Sequence, residues 1–505
     1  MTEITQLIPA LRERLISNRL TENDCIILTA MMDNYMVLDS AVKEKSGKIQ
    51  KLLRMIFGAK TEKADTILNL PPKAKEPKAK PGGHGRNGAS VYAGGKKVTV
   101  SHTLHSGDAC PGCEKGKLYT APPGVTVRIT GNAPLDAYVW EQEKLRCNLC
   151  GEVFTAKLPD EASDAKYDAS AGAMIALLKY GSGLPFNRLE GLQDSLGVPM
   201  PASTQWDAVE KTADRIYPVH DELIRQAAQG ELIHNDDTTM KILSPVNERE
   251  GRTGTFTTGM LSVADERKIA LFFTGHKHAG ENLTNLLKER HPDRGPPIQM
   301  CDALSRNTSK DFAAILANCL AHARRNFVDV AENFPDECRH VITLLGKVYT
   351  NDAAAKDMTP RERLDYHRTH SGPLMEDLRE WMTARFDEKK TEPNSGLGKA
   401  FSYMLKHWGA LTLFLKVEGA PLDNNLCEQA LKRAILHRKN SLFYKTLHGA
   451  YIGDLFMSII HTCRLSKINP FDYLVTLQKH SHEVFRNPQK WLPWNYKAEI
   501  TALLS

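Results

Sequence analysis

From Glu231 onward the chain turns into short apolar runs punctuated by turn residues, and their order constrains the fold more than any other feature. Residues 231–242 read as a first strand, 255–263 and 268–273 as two more, 282–290 as a helix and 297–301 as a fourth strand; a fifth precedes Cys319. Three strands, a helix and a strand, in that order, describe an α/β domain of the ribonuclease-H-like kind, built on a mixed sheet. The stretch from about 330 to 420 is helical in character, with Glu362, Asp365, Glu376, Glu380 and Trp381 on periodic faces, and reads as an insertion into that domain.

Acidic residues close two of these strands. Asp236 stands in Ile-His-Asn-Asp-Asp-Thr-Thr at the end of the first, and Asp302 in Ile-Gln-Met-Cys-Asp-Ala-Leu-Ser at the end of the fourth. A carboxylate at a strand end points out of the sheet, where it can share a hard cation with another carboxylate distant in sequence. Glu428 follows 126 residues after Asp302, opening a basic amphipathic helix with Lys432, Arg433, His437, Arg438 and Lys439. Two aspartates and a glutamate suit phosphodiester cleavage, because paired Mg²⁺ ions are held by carboxylate oxygens and activate water or a 3′-hydroxyl without a side-chain base. Each acid also has a plain structural reading. Asp236 and Asp237 could form a polar turn, Asp302 could cap a helix, and Glu428 fits a capping box with Asn425. Cys319 and His322 form Cys-x-x-His after the fifth strand, but no two further zinc ligands can be found for them in the sequence, so a zinc site there is rejected.

At 505 residues the chain needs several cores. Residues 1–65 read as helical. Leu28, Tyr35, Val42, Ile49 and Ile56 recur every seven positions with Met31, Leu38 and Leu52 beside them, a coiled-coil seam that Lys45 interrupts. Residues 66–100 form a linker. Between 71 and 97 it carries Lys73, Lys75, Lys78, Lys80, Arg86, Lys96 and Lys97 against Glu76, and ten of those 27 residues are Pro or Gly. Such a segment cannot pack. It is either a spacer or an arm that tracks phosphates.

Residues 101–160 contain Cys110-Pro-Gly-Cys113 and Cys147-Asn-Leu-Cys150, separated by 33 residues. Four thiolates at two knuckles match a tetrahedral structural Zn²⁺ and describe a zinc ribbon. Residues 161–228 read as three helices in helix-turn-helix outline. Met174 to Leu178 lie on the first; Phe186, Leu189, Leu192 and Leu196 on the second, which Gly197 ends; Ser203 or Thr204 caps a third that carries Trp206 and Val209. Residues 229–505 complete the chain as the α/β domain. Ten cysteines are too few and scattered for a disulfide scaffold, no apolar run approaches the roughly 20 residues of a membrane span, and the amino terminus lacks a basic segment followed by an apolar one; a cytoplasmic location is expected.

Three ordered motifs carry a resemblance: the Asp236 segment, Asn-Cys-Leu-Ala-His-Ala-Arg-Arg-Asn-Phe (318–327), and Pro-Leu-Asp-Asn-Asn-Leu-Cys-Glu-Gln-Ala-Leu-Lys-Arg-Ala-Ile-Leu-His-Arg-Lys-Asn-Ser-Leu-Phe (421–443). The Cys-x-x-Cys pairs and Trp-Leu-Pro-Trp-Asn-Tyr (491–496) fit as well. The chain resembles the transposases of bacterial insertion sequence 66 type over nearly its whole length. One departure is that Asp236-Asp237-Thr238 stands where the family has Asp-Glu-Thr; position in the motif gives Asp236 as the ligand.

The resemblance implies a DDE transposase that binds the terminal inverted repeats of its element, cleaves the ends and joins them to target DNA. Asp236, Asp302 and Glu428 would hold two Mg²⁺, for which Mn²⁺ can substitute. His322 would neighbour the scissile phosphate, with Arg324, Arg325, Lys432, Arg433, Arg438 and Lys439 on DNA. Double-stranded DNA, a homo-oligomer and accessory proteins of the same element are the implied partners, with no membrane. Two other readings remain open: a ribonuclease-H-like nuclease without strand transfer, and a catalytically dead DNA-binding regulator.

Overall fold

The computed structural model describes residues 11–17, 19–33, 99, 103–109, 111–113, 115–120, 133–146, 148, 153–159, 166–244, 254–264, 267–309 and 311–504. The heptad positions from Tyr35 on, the basic arm at 71–97 and Cys110, Cys147 and Cys150 lie outside them. The chain divides into two units, one of residues 71–134 and one holding the rest. In the smaller unit Ala109 and Lys117 bridge antiparallel, so the first Cys-x-x-Cys pair falls in the connection between them. In the larger unit β1 (Lys144–Arg146) and β2 (Val153–Thr155) pair antiparallel around the second.

Five strands form the sheet of the larger unit: β3 (Leu232–Thr239), β4 (Phe256–Ala264), β5 (Arg267–Gly275), β6 (Ile298–Cys301) and β7 (Ile315–Asn318), in the order β5-β4-β3-β6-β7. The first three pair antiparallel, whereas β6 and β7 join parallel to β3 after crossovers. The sheet is thus mixed and the expected strand order holds, with ends shifted by a few residues. The crossover helix α4 (Ala279–Leu287) starts three residues before the expected position because His278 and Glu281 close a capping box at its amino end.

Both faces of the sheet are covered, which explains why β4 is apolar or small at nearly every position. One core joins Ile233, Met260, Ile269 and Leu271 to α1 (Ala169–Ala176), α3 (Ala202–Ala228) and α11 (Leu447–Leu465). The other joins Ile298, Met300 and Ala317 to α5 (Leu320–Val330), α6 (Pro335–Ala354), α8 (Gly372–Asp387) and α9 (Gly396–Lys406). Helices α6 to α9, with α7 (Pro360–His370) among them, fill the long interval before α10 (Asn425–Ser441).

The helices at 166–228 are present, and their placement is informative. α2 (Phe186–Ser195) leads through Leu196 to Gly197, whose φ of +76° suits a residue without a Cβ. α3 begins at Ala202 behind Pro201, so Ser203 and Thr204 lie in its first turn and do not cap it, contrary to expectation. Its inner side is core from Val209 to Ala228, and its exposed side carries Asp207, Lys211, Asp214 and Arg215, a balanced set of charges. Such a face offers no net attraction to a phosphate backbone.

Candidate active site

Sheet register brings the two aspartates together. His234 on β3 pairs with Met300 on the parallel β6, so Asp236 and Asp302, each two residues further, leave the same end of the sheet side by side. Glu428 arrives on α10. That helix is drawn against the sheet at Gly259, which faces Asp236 across the β3–β4 pair. A Cβ on Gly259 would stand 2.8 Å from Leu431 of α10, and the Cys427 thiol donates to the Gly259 carbonyl at 3.3 Å. We expect Gly259→Val to push α10 outward and lower the melting temperature, measured by thermal denaturation.

Asn424 fixes the start of α10, and sequence reasoning missed it. It is fully buried. Its Oδ1 accepts from His234 Nδ1 at 2.9 Å, its Nδ2 donates to the Asn235 carbonyl at 3.1 Å, and its backbone N–H points to Cys319 Sγ at 3.3 Å. Burial pushes His234 down to about 4, so a neutral imidazole makes the Asn424 bond. One residue therefore ties β3, the head of α5 and α10 together around the acids. The fragment Pro-Leu-Asp-Asn-Asn was the available signal, but which Asn faces inward is decided only by packing.

At the centre His322 Nδ1 lies 2.7 Å from Asp302 Oδ1 and 3.7 Å from Glu428 Oε1. All three side chains are mostly shielded but keep some exposure, at 22 %, 15 % and 25 %. Burial, and next the neighbouring Asp302 carboxylate, push Asp236 up to about 7. Burial also works against the His322 imidazolium, but Asp302 and Cys319 prevail and raise it to about 10. These three atoms of Asp302, Glu428 and His322 are buried without a well-directed hydrogen bond. Acidic oxygens that meet only an imidazole are what a hard divalent cation would satisfy further, so the donor set fits Mg²⁺.

The structural roles considered for the acids fall elsewhere. Asp237, not Asp236, is the scaffold residue. It is 1 % exposed; its Oδ1 accepts from Thr258 Oγ1 at 2.6 Å, and its Oδ2 accepts from the Ala279 amide at 3.0 Å and meets His278 Nδ1 at 3.1 Å. It caps α4. Asp236 accepts only its neighbour's amide, at 2.8 Å. Asp302 caps no α-helix, and the capping box at Glu428 is not formed, since Asp423 takes the Asn425 amide at 3.1 Å.

Among the basic residues, Lys432, Arg433 and Lys439 are exposed along α10, and Arg324 and Arg325 are half-buried on α5. Arg438 differs: its guanidinium bonds Thr238 Oγ1 at 3.1 Å and Thr239 Oγ1 at 2.6 Å, latching α10 to the end of β3. His437 is buried between Tyr180 and Tyr444, and burial lowers it to about 3. Trp491 is buried, while Trp408 and Trp494 are half-buried against the two cores.

Known proteins share this architecture at the level of sequence. The chain is 26 % identical over 390 residues to the uncharacterized protein y4hP of Sinorhizobium fredii, covering 72 % of this chain and 68 % of that one. It is 25 % identical over 370 residues to the uncharacterized protein y4jD of the same organism, covering 70 % and 71 %. The profile of the Transposase IS66 family matches residues 165–452, a span that contains the whole sheet, the inserted helices, Asp236, Asp302, His322 and Glu428. The chain belongs to the IS66 family of transposases.

Proposed function

We propose that this chain is a DDE transposase that binds the ends of its own insertion sequence, cuts a phosphodiester bond there and joins the end to target DNA. The observation that carries the reading is the meeting of Asp236, Asp302 and Glu428 at one sheet end, from three separate elements, around His322. The sheet order and its parallel crossover agree with the ribonuclease-H-like fold.

Two Mg²⁺, or Mn²⁺ in their place, would supply an acidic bound water or 3′-hydroxyl and offset charge on the reacting phosphate. In this assignment Asp236, Asp302 and Glu428 would hold the two ions through their carboxylate oxygens. His322, kept protonated beside Asp302, presents positive charge to the scissile phosphate. Asn424 and the Arg438 latch are positioning residues, setting where Glu428 stands relative to Asp236. Lys432, Arg433 and Lys439 face solvent, where a phosphate backbone can lie along α10. The test is purified full chain with labelled element-end DNA and Mg²⁺, scored for nicking and for joined product. Nicking without joining reduces the reading to a nuclease, and neither product overturns it.

The amino-terminal parts belong to the same reading: a helical seam for pairing two copies, a zinc ribbon and a basic arm. Metal analysis should find one tightly held zinc at Cys110, Cys113, Cys147 and Cys150, lost on Cys113→Ser. Deleting residues 71–97 should weaken binding to all DNA sequences and flatten its salt dependence. About 0.9 counterions are released per phosphate neutralised, and seven basic side chains cannot all reach phosphates at once, so the logarithmic slope should fall by roughly three to five units. An unchanged slope would make the arm a spacer.

A further inference from the structure

The centre contains two donors that Mg²⁺ does not favour. Cys319 stands at the amino cap of α5 and His322 one turn into it, so both side chains meet the end of β6. Single donor atoms of Asp302, Cys319 and His322 lie within 4.8 Å of one another. Glu428 Oε1 lies 3.7 Å from His322 Nδ1 but outside that group of three. In a tetrahedral zinc site, bonds of about 2.0–2.3 Å place the donors roughly 3.3–3.8 Å apart. The three donors are already near that spacing, and the 2.7 Å contact between Asp302 and His322 would have to open to admit an ion. The third donor beside Cys319 and His322, which their own segment does not supply, is Asp302 at the end of β6.

We propose that Asp302, Cys319 and His322 form an inhibitory site for a borderline-soft divalent cation, with Zn²⁺ the best fit. A sulfur, a nitrogen and a carboxylate oxygen match zinc preferences, whereas Mg²⁺ takes oxygen alone. Cys319 and His322 each give up a proton to solvent on binding. The bound ion draws Asp302 to the imidazole side, removes His322 from the scissile phosphate and competes with the hard-cation role of the acids. The inhibitory consequence rests on the function proposed above; the binding site does not.

Cys319→Ser is the variant of choice, because a hydroxyl still accepts the Asn424 amide but is a poor zinc ligand. Full-length chain, with its four-thiolate site loaded, is titrated with Zn²⁺ and, in parallel, with Co²⁺ as a visible probe. The wild type should take one equivalent more than the variant and gain thiolate-to-Co²⁺ charge-transfer absorption that the variant lacks. Added Zn²⁺ should inhibit Mg²⁺-driven end cleavage by the wild type, and its midpoint should rise about tenfold or more in the variant. Cys319→Ala carries the same comparison if the serine variant melts early. Equal uptake and equal spectra overturn the site. Extra uptake with no change in cleavage overturns the inhibition. Extra uptake in a chain that cleaves no end DNA upholds the site and overturns the proposed function.

Discussion

Asp302→Ala should abolish cleavage of element-end DNA while leaving binding of that DNA nearly intact, and Asp236→Ala and Glu428→Ala should do the same. In the proposed reaction each acid is an oxygen ligand for a required cation, and its loss would remove that ligand. Several kcal/mol of charge stabilisation disappear with it, a rate loss on the order of 10³-fold or more. Unfolding is distinguished by stability, which should move the other way. In chelator, Asp236 is held near 7 by burial and by Asp302, above its ordinary value of 3.8. A carboxyl whose folded pKa is raised costs stability progressively as pH climbs from about 4 to 7, and the cost persists above that. Asp236→Asn should therefore melt higher than the wild type at pH 8, with the gap closing below about pH 4. A variant that is both inactive and less stable at pH 8 would place Asp236 in the scaffold.

Asp237→Ala should show the opposite pattern. The substitution strands three groups around a nearly inaccessible site: Thr258 Oγ1, the Ala279 amide and His278 Nδ1. Hydrogen bonds to a buried charge are each worth about 1.5–3 kcal/mol, and α4 keeps only its His278–Glu281 box, so a destabilisation of about 3 kcal/mol or more is expected. Cleavage per folded molecule should remain, because neither oxygen of Asp237 faces the centre. Chemical denaturation paired with active-fraction rates measures both quantities. Lost cleavage at unchanged stability would move the metal-holding role from Asp236 to Asp237.

Sequence periodicity revealed most of the catalytic unit. The strands carrying Asp236 and Asp302, the crossover helix and the inserted helices follow from apolar runs and their spacing, since a sheet covered on both faces leaves continuous apolar strands. Capping was less legible. Pro201 starts α3 where Ser203 and Thr204 looked the better caps, and the box at Glu428 was pre-empted by Asp423. Roles that depend on long-range contact were not legible at all. Nothing near Asp237 announces that its partners lie on β4 and at the head of α4, and the Arg438 latch needs β3 beside α10. That Asp302 lies beside Cys319 and His322 was equally hidden, because it arrives from the end of another element.

On the proposed function, Asp236, Asp302 and Glu428 act as a cation cage on a phosphodiester. Sulfur replacement of a non-bridging oxygen at the scissile phosphate tests it most directly, since Mg²⁺ binds sulfur poorly and Mn²⁺ tolerates it. Cleavage of the sulfur-containing end should collapse in Mg²⁺ and return in Mn²⁺ for one of the two diastereomers. Equal cleavage of sulfur and oxygen substrates in Mg²⁺, or a loss that Mn²⁺ restores for neither diastereomer, would contradict the account.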